Sequence, residues 1–256
     1  MLDPLIAALG GSLVGFSLAL IGGGGSILAT PFLAYVIGLP PHAAIGTSAV
    51  GVGANAAIGL FGKARDGAVS WQAGIPFALA GVVGAVVGAE MGKATDGDML
   101  LGLFAILMIL VGALMLRKKE EAPGTAFVRP NTIKLLAYGG ATGVMAGFFG
   151  IGGGFLIVPG LMAAASLPIF NAMATSLVGV TALGATTATS YGLEGYVDWD
   201  IAAAFIAGGF IGSWAGGRAA KRLSGTKGAL TRVFVGIIFS VAAYMLYRWG
   251  LALEIL

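Results

Sequence analysis

Long uncharged runs dominate the pattern of apolar and polar positions along this chain. No Asp, Glu, Lys or Arg occurs between Asp3 and Lys63, or between Lys134 and Glu194. Shorter uncharged runs cover 67–89, 99–116, 201–217 and 233–247. Because a helix needs about 20 mostly apolar residues to cross a bilayer, the pattern predicts an all-α polytopic membrane protein.

The apolar runs divide into ten helical segments, five in each half of the chain. In the first half they are predicted at 4–21, 26–39, 41–62, 71–92 and 99–116. In the second half they are predicted at 135–149, 155–167, 168–190, 197–217 and 229–247. A glycine run separates the first segment of each half from the second. The second segment has about 14 residues, and a helix of that length reaches only about 21 Å. Each interruption therefore indicates a broken helix or a re-entrant hairpin, with three further transmembrane helices.

The chain repeats itself after 128 residues. Shifted by that distance, positions 11–93 align on 139–221 without a gap, and 26 of the 83 aligned positions are identical. The matches include prolines, a Thr-Ser pair and a tryptophan in one register, which glycine and alanine richness alone would not produce. Internal repeats are common in secondary transporters. We divide the chain into a first repeat at 1–116, a connector at 117–134 and a second repeat at 135–256.

The basic residues predict how each repeat lies in the membrane. Three loops, after 41–62, between the repeats and before 229, hold 12 of the 14 Lys and Arg residues. Placing these loops, including the connector, in the cytoplasm satisfies the positive-inside rule. Corresponding loops of the two repeats then face opposite sides, so the repeats are inverted and both termini are extracytoplasmic. An inverted repeat places its substrate site near the bilayer midplane.

The glycine breaks are the strongest candidates for that site. A helix that restarts within the membrane presents backbone N–H groups and the positive end of its dipole, which together favour an anion. The candidate substrate-binding residues at the breaks are Gly22, Gly23, Gly24, Gly25, Ser26, Gly150, Gly152, Gly153 and Gly154. The alternative is close helix packing, which we expect instead at Gly84, Gly88, Gly92, Gly209, Gly212 and Gly216.

Hydroxyl and amide side chains add further candidates within the apolar spans. Thr47-Ser48 and Thr175-Ser176 lie about 10–12 Å inside their helices, where they either contact substrate or bond back to the i−4 carbonyl. Asn55 lies deeper and either lines the path or bonds a neighbouring helix. His42, at a helix start, is expected to be solvated.

Composition narrows the function classes. The chain is 58% hydrophobic and 10% charged, and it contains no Cys, which excludes disulfides and Cys-ligated metal sites. Its net charge of +3 lies in loops beside apolar spans, so we expect contact with a lipid bilayer and not with nucleic acid. No nucleophile and base, metal motif or nucleotide fingerprint is evident, so neither an enzyme, a metal nor a cofactor is predicted. The oligomeric state is left open.

The paired stretches IGGGGSILATP and GIGGGFLIVP, with a Thr-Ser span behind each, resemble the TauE/SafE family of bacterial and archaeal membrane transporters. The resemblance covers residues 5–248. It implies a multi-pass protein of the bacterial or archaeal inner membrane that exports small sulfur-containing anions, such as sulfite or organosulfonates. A transporter of another small anion and a non-transporting accessory protein are the alternatives.

Overall fold

The computed structural model describes residues 2–21, 26–117, 131–150, 154–223 and 229–252, and every regular element in these ranges is helical. The first repeat contains α1 (Leu2–Ile21), α2 (Ala29–Phe32) with a π-helical continuation (Leu33–Ile37), α3 (Pro41–Arg65), α4 (Trp71–Lys93) and α5 (Gly97–Arg117). The second contains α6 (Thr132–Phe149), α7 (Gly154–Ala165), α8 (Ile169–Leu193), α9 (Trp199–Leu223) and α10 (Ala229–Ala252).

The length and composition of the helices confirm an all-α polytopic membrane protein. Among the described residues, four helical stretches are long and apolar enough to cross a membrane, at Pro41–Arg65, Trp71–Lys93, Gly97–Leu114 and Phe170–Leu193. Shorter apolar helices cover Pro4–Leu20, Ser26–Ile37 and Gly154–Ala165. The two short helices that follow the glycine breaks are therefore real elements, as the sequence predicts.

The prolines fix where the long central helices begin. Pro40 and Pro168 are the N-cap residues of α3 and α8, with closely similar torsions of φ −52°, ψ 146° and φ −55°, ψ 145°. The bounds of the predicted segments agree with the helices to within six residues. The largest difference is at the end of α9, predicted at 217 and observed at Leu223, because the helix continues past its apolar part into a basic turn.

Each repeat packs its first helix against the fourth helix of the other repeat. A Cβ on Gly11 of α1 would lie 2.0 Å from the carbonyl oxygen of Phe205, and one on Gly15 would lie 2.2 Å from that of Gly209. Residue numbers rise together along both helices, so α1 and α9 are parallel. The same contacts recur 128 residues away between α6 and α4, at Gly139 with Phe77 and Gly143 with Gly81.

The six glycines expected to serve helix packing are all in tight contacts. A Cβ on Gly84, Gly88 or Gly92 would lie 2.0–2.4 Å from carbonyl oxygens of α6. The counterparts Gly212 and Gly216 approach α1 in the same way, whereas a Cβ on Gly209 would meet the Asn55 amide at 2.0 Å. These positions are small because two backbones touch there.

The equivalent central helices of the two repeats pack antiparallel. Gly53 of α3 faces Gly184 of α8, and Gly59 lies near Leu177, so the numbers fall on one helix as they rise on the other. Helices α5 and α10 are also antiparallel, because Gly102 lies against Trp249 and Gly112 lies near Phe239.

Two ends of the bundle differ in charge. Helices α3 and α9 run side by side in one direction, since Thr47 bonds Asp198 and Asn55 lies over Gly209. Lys63 and Arg65 lie in the last turn of α3, and Arg218 lies in the C-terminal part of α9; we call this the basic end. Helices α4 and α8 terminate at the opposite end, where Lys93 binds Glu90 and Glu194, and we call it the ion-pair end.

Candidate functional site

The glycine breaks are only partly described. Gly22, Gly23, Gly24, Gly25, Gly152 and Gly153 lie outside the described residues. On the far side of the first break, Ser26 is fully buried and opens a short 3₁₀ turn that continues into α2. On the far side of the second break, Gly154 is buried and begins α7. The helices therefore restart where the sequence predicts, and substrate binding at the breaks stays a prediction.

Gly150 ends α6 in a conformation that favours glycine. It has φ 62° in the left-handed region, and its N–H donates to the carbonyl of Gly147 at 3.2 Å. A Cβ on Gly150 would lie 1.8 Å from Cγ2 of Ile45 on α3. Both the backbone torsion and the approach of α3 thus require a glycine here, whether or not substrate contacts it.

The two threonines of the Thr-Ser pairs bond across the repeats. Oγ1 of Thr47 accepts a hydrogen bond from the N–H of Asp198, just before α9, at 3.0 Å. Oγ1 of Thr175 accepts one from the N–H of Ser70, just before α4, at 2.9 Å. The two bonds are related by the 128-residue shift. Each threonine hydroxyl therefore satisfies an N–H at the start of a helix in the other repeat, a role that the sequence did not indicate.

The serines bond back along their own helices. Oγ of Ser48 donates to the carbonyl of Ile45 at 2.9 Å, and Oγ of Ser176 donates to that of Met173 at 2.7 Å. Ser48 also shares a 2.8 Å hydrogen bond with Oγ1 of Thr30, which is fully buried in α2. The fully buried hydroxyls Thr30 and Ser48 thus lie one helical turn beyond Ser26, beside the first glycine break.

Asn55 carries a buried amide within the apolar part of α3. It is fully buried, and among the described residues neither its Nδ2 nor its Oδ1 has a hydrogen-bond partner. Its amide faces α9, because a Cβ on Gly209 would lie 2.0 Å from Nδ2 of Asn55. A buried polar group without a partner costs about 1–3 kcal/mol, so its retention at the centre of the bundle favours a functional role.

A cavity of about 520 Å³ opens at the basic end, between α1, α3, α8 and α9. Ile58, Gly59 and Gly62 of α3 line one wall, and Phe210 and Ser213 of α9 line another. Its remaining lining residues are Leu18, Ala19, Lys63, Asp66, Leu177, Trp214, Gly217 and Arg218. Asn55 lies about one helical turn farther into the bundle than the α3 wall.

One face of α3 connects these features. Ser48, Asn55 and Gly62 are spaced by seven residues, which places them on the same side of the helix at intervals of about 10 Å. The face runs from the Thr30–Ser48 hydroxyl pair, past the Asn55 amide, to the cavity at the basic end.

The opposite end is packed with aromatic side chains. His42 packs beside the rings of Tyr191 and Tyr196, with centroids 6.4 and 5.4 Å away. Nε2 of His42 is buried without a partner among the described residues, whereas the residue as a whole is half-buried, so the expectation that this side chain is solvated holds only in part. The reason is local packing, because the turn after α8 brings Tyr196 over the start of α3.

Sequence reasoning missed Thr30, Lys93 and Tyr191. Thr30 is a polar residue in an otherwise apolar short helix, which could have marked it as a candidate. The 128-residue shift pairs it with a valine, so the repeat did not draw attention to it. The bond of Lys93 to Glu194 spans 101 residues, so no local pattern reveals it. Tyr191 could not be distinguished by sequence from the other apolar residues of its span, although its side chain is fully buried.

Comparisons with known proteins identify relatives over almost the whole chain. The family described as Sulfite exporter TauE/SafE matches residues 7–245. A probable membrane transporter protein of Xylella fastidiosa is 47% identical over 96% of this chain and 97% of its own length. One from Bacillus subtilis is 28% identical over 80% and 86%, and one from Methanocaldococcus jannaschii is 30% identical over 77% and 76%. No solved structure matches.

Proposed function

Because the chain belongs to the TauE/SafE sulfite exporter family, a family of membrane transporters, we propose that it exports small sulfur-containing anions such as sulfite or organosulfonates. The relatives are named as probable membrane transporter proteins, and the long apolar helices suit a multi-pass membrane protein. The proposal goes beyond the family assignment by naming the class of anion and the direction of transport.

In this proposal the two halves form an inverted repeat in the inner membrane. The antiparallel packing of α3 on α8 supports this arrangement, because these helices occupy equivalent places in the two repeats. The positive-inside rule assigns the basic end, with Lys63, Arg65 and Arg218, to the cytoplasm. Both termini are then extracytoplasmic, since α1 begins at the same level as α9, at the end opposite Arg218.

The substrate binds near the bilayer midplane, between the restarted helices. Their N-terminal N–H groups attract an anion without a cation in the membrane. The observation that carries the assignment is the buried Asn55 amide, which faces α9 at Gly209 and has no hydrogen-bond partner among the described residues. Its NH₂ group supplies a hydrogen-bond donor that an oxygen of a sulfur oxyanion can accept. The proposed transport needs no general acid or base, because the anion crosses the membrane without being chemically changed.

Flux through the purified protein tests the proposal. Proteoliposomes are assayed with sulfite, sulfate, thiosulfate, sulfoacetate, taurine and small carboxylates, and saturable flux of at least one sulfur anion is expected. Replacing Gly24 or Gly152 with valine is expected to abolish that flux while expression is largely kept, because a β-branched side chain covers the backbone N–H groups. Equal loss of folding and flux would favour helix packing, and no flux from folded wild-type protein would favour an accessory role.

A further inference from the structure

The 128-residue repeat relates the cavity at the basic end to a groove at the ion-pair end. Val86, Glu90, Thr186 and Ser190 line that groove. They are the counterparts of Trp214, Arg218, Ile58 and Gly62, which line the cavity. The bundle therefore carries two equivalent openings between equivalent pairs of helices, one at each end.

The charges at the two openings differ at one position in particular. Arg218 at the cavity occupies the place that Glu90 occupies at the groove. The cavity also holds Lys63, whose counterpart at the other end is Tyr191, and Asp66, whose counterpart is Glu194. The cavity lining thus carries two cations and one carboxylate, whereas the equivalent positions at the ion-pair end carry two carboxylates.

The cations at the cavity lie over aromatic rings. Cζ of Arg218 is 3.5 Å from the ring centroid of Trp214, and Nζ of Lys63 is 5.0 Å from that of Phe170. Stacking on a ring leaves the in-plane N–H groups of a guanidinium available for an oxyanion. A cleft with walls of low dielectric focuses such charge and raises the local concentration of the opposite ion.

An ion pair joins the two repeats at the ion-pair end. Lys93 bridges Glu90 at 2.7 Å and Glu194 at 2.5 Å, and only 9% of its side chain is exposed. Glu194 follows α8, whereas Lys93 ends α4, so the pair ties the two repeats together at this end. The lysine charge is thereby committed to carboxylates, and the three groups together keep a net charge of −1, which disfavours an approaching anion.

We infer that the cavity at the basic end, formed around Arg218 and Lys63, is a loading site for small oxyanions, and that the exchange of Arg218 for Glu90 between equivalent openings makes the half-saturating concentration lower from the basic end than from the ion-pair end. The inference rests on the proposed function and adds to it the route of entry. An anion enters at Arg218 and reaches the Asn55 amide one turn beyond the cavity. At the other end, Glu90 favours release and opposes rebinding.

Sided flux measurements test this inference. The chain contains no cysteine, so a single cysteine at Asp98, labelled with an impermeant reagent, reports which end of each reconstituted molecule faces outwards. Initial rates of sulfite uptake are then measured from each end. We expect Arg218→Gln to raise the half-saturating concentration from the basic end by about three- to tenfold. The effect from the ion-pair end should be small, and it should shrink at high ionic strength because salt screens exposed charges.

Matched variants separate charge from other effects. Arg65 ends the same helix as Lys63 and lies 4.1 Å from the Phe61 ring, but it does not line the cavity, so Arg65→Gln should leave the half-saturating concentration unchanged. Arg218→Lys keeps the charge and should stay near wild type. Glu90→Gln should lower the half-saturating concentration from the ion-pair end.

Equal effects of Arg218→Gln and Arg65→Gln, or equal effects from both ends, would overturn the inference while leaving the proposed function intact. Wild-type protein that moves no sulfur anion from either end would remove the proposed function, and the loading site with it. If Arg218→Gln does not fold, Glu90→Gln decides the question alone: an unchanged half-saturating concentration from the ion-pair end overturns the inference.

Discussion

Individual glycines in this chain serve different physical needs. Gly195 and Gly150 both have positive φ, at 79° and 62°. No described atom lies within 4 Å of a Cβ placed on Gly195, whereas one on Gly150 would lie 1.8 Å from Cγ2 of Ile45. The sequence marks both residues as glycine, but only the packing of α3 distinguishes a turn from a closely packed helix end.

This difference predicts unequal costs of adding a methyl group. Gly195→Ala should cost about 1–2 kcal/mol through its left-handed torsion alone. Gly150→Ala should cost about 1–3 kcal/mol more, because the methyl overlaps Ile45. Thermal unfolding in detergent measures both. Gly150→Ala combined with Ile45→Ala should be less destabilised than the sum of the single variants; strict additivity would contradict the overlap.

The role of the Asn55 amide was only partly predictable from its position in the sequence. Its sequence position places a polar side chain deep within a span, and that placement was predicted. Whether it lines a path or bonds a neighbouring helix depends on which atoms surround it, and these include Gly209 of α9, which is far away in sequence. Among the described residues the amide has no bonding partner, which favours the path.

The sequence predicted the positions of the helices better than it predicted the contacts between them. Apolar runs and prolines located ten helical segments, and the small-residue positions of α4 and α9 were correctly assigned to packing. The cross-repeat caps were not foreseen, because Thr47 and Asp198 are 151 residues apart, and Thr175 and Ser70 are 105 residues apart. Local rules for threonine in helices favour back-bonding and carry no information about such partners.

The caps predict a matched pair of stability losses. Thr47→Val and Thr175→Val keep side-chain volume but remove the acceptor for an N–H before α9 or α4, so each should lower the free energy of unfolding by about 1–2 kcal/mol. Thr181→Val is the control, since Thr181 only bonds back to Leu177 at 2.8 Å. Stability and flux are measured together.

The two outcomes assign the threonines different roles. If the hydroxyls are caps, unfolding shifts and the half-saturating concentration of the anion does not. A raised half-saturating concentration with unchanged stability would instead make Thr47 or Thr175 a substrate ligand, as the sequence analysis first considered.

At the scale of the whole molecule, the repeat organises both packing and charge. Each repeat buries its first helix on the other repeat, so neither half forms its core alone. The sequence shift predicted the equivalence of the halves, but not which helices would touch, because parallel and antiparallel pairings bury similar apolar faces. The charge difference between the two ends arises at equivalent positions, most clearly Arg218 and Glu90.

The charge distribution also bears on energy coupling. The acidic and basic residues of the described spans lie at helix ends, and a buried ionisable group is the usual mark of a proton relay. A cell interior that is negative drives anions outwards, by about 2.3 kcal/mol per charge at 100 mV. A dianion therefore gains roughly 4.6 kcal/mol, equivalent to more than a thousandfold concentration ratio. Export needs no cation gradient on this account.

The most direct test is sulfite flux in proteoliposomes whose membrane potential is clamped by a potassium diffusion gradient, without a sodium or proton gradient. We predict saturable flux whose rate follows the imposed voltage, with the anion moving towards the positive side. Folded protein that moves no sulfur anion at any voltage would contradict the central claim of anion transport. Flux that ignores voltage but follows a sodium or proton gradient would contradict voltage-driven export.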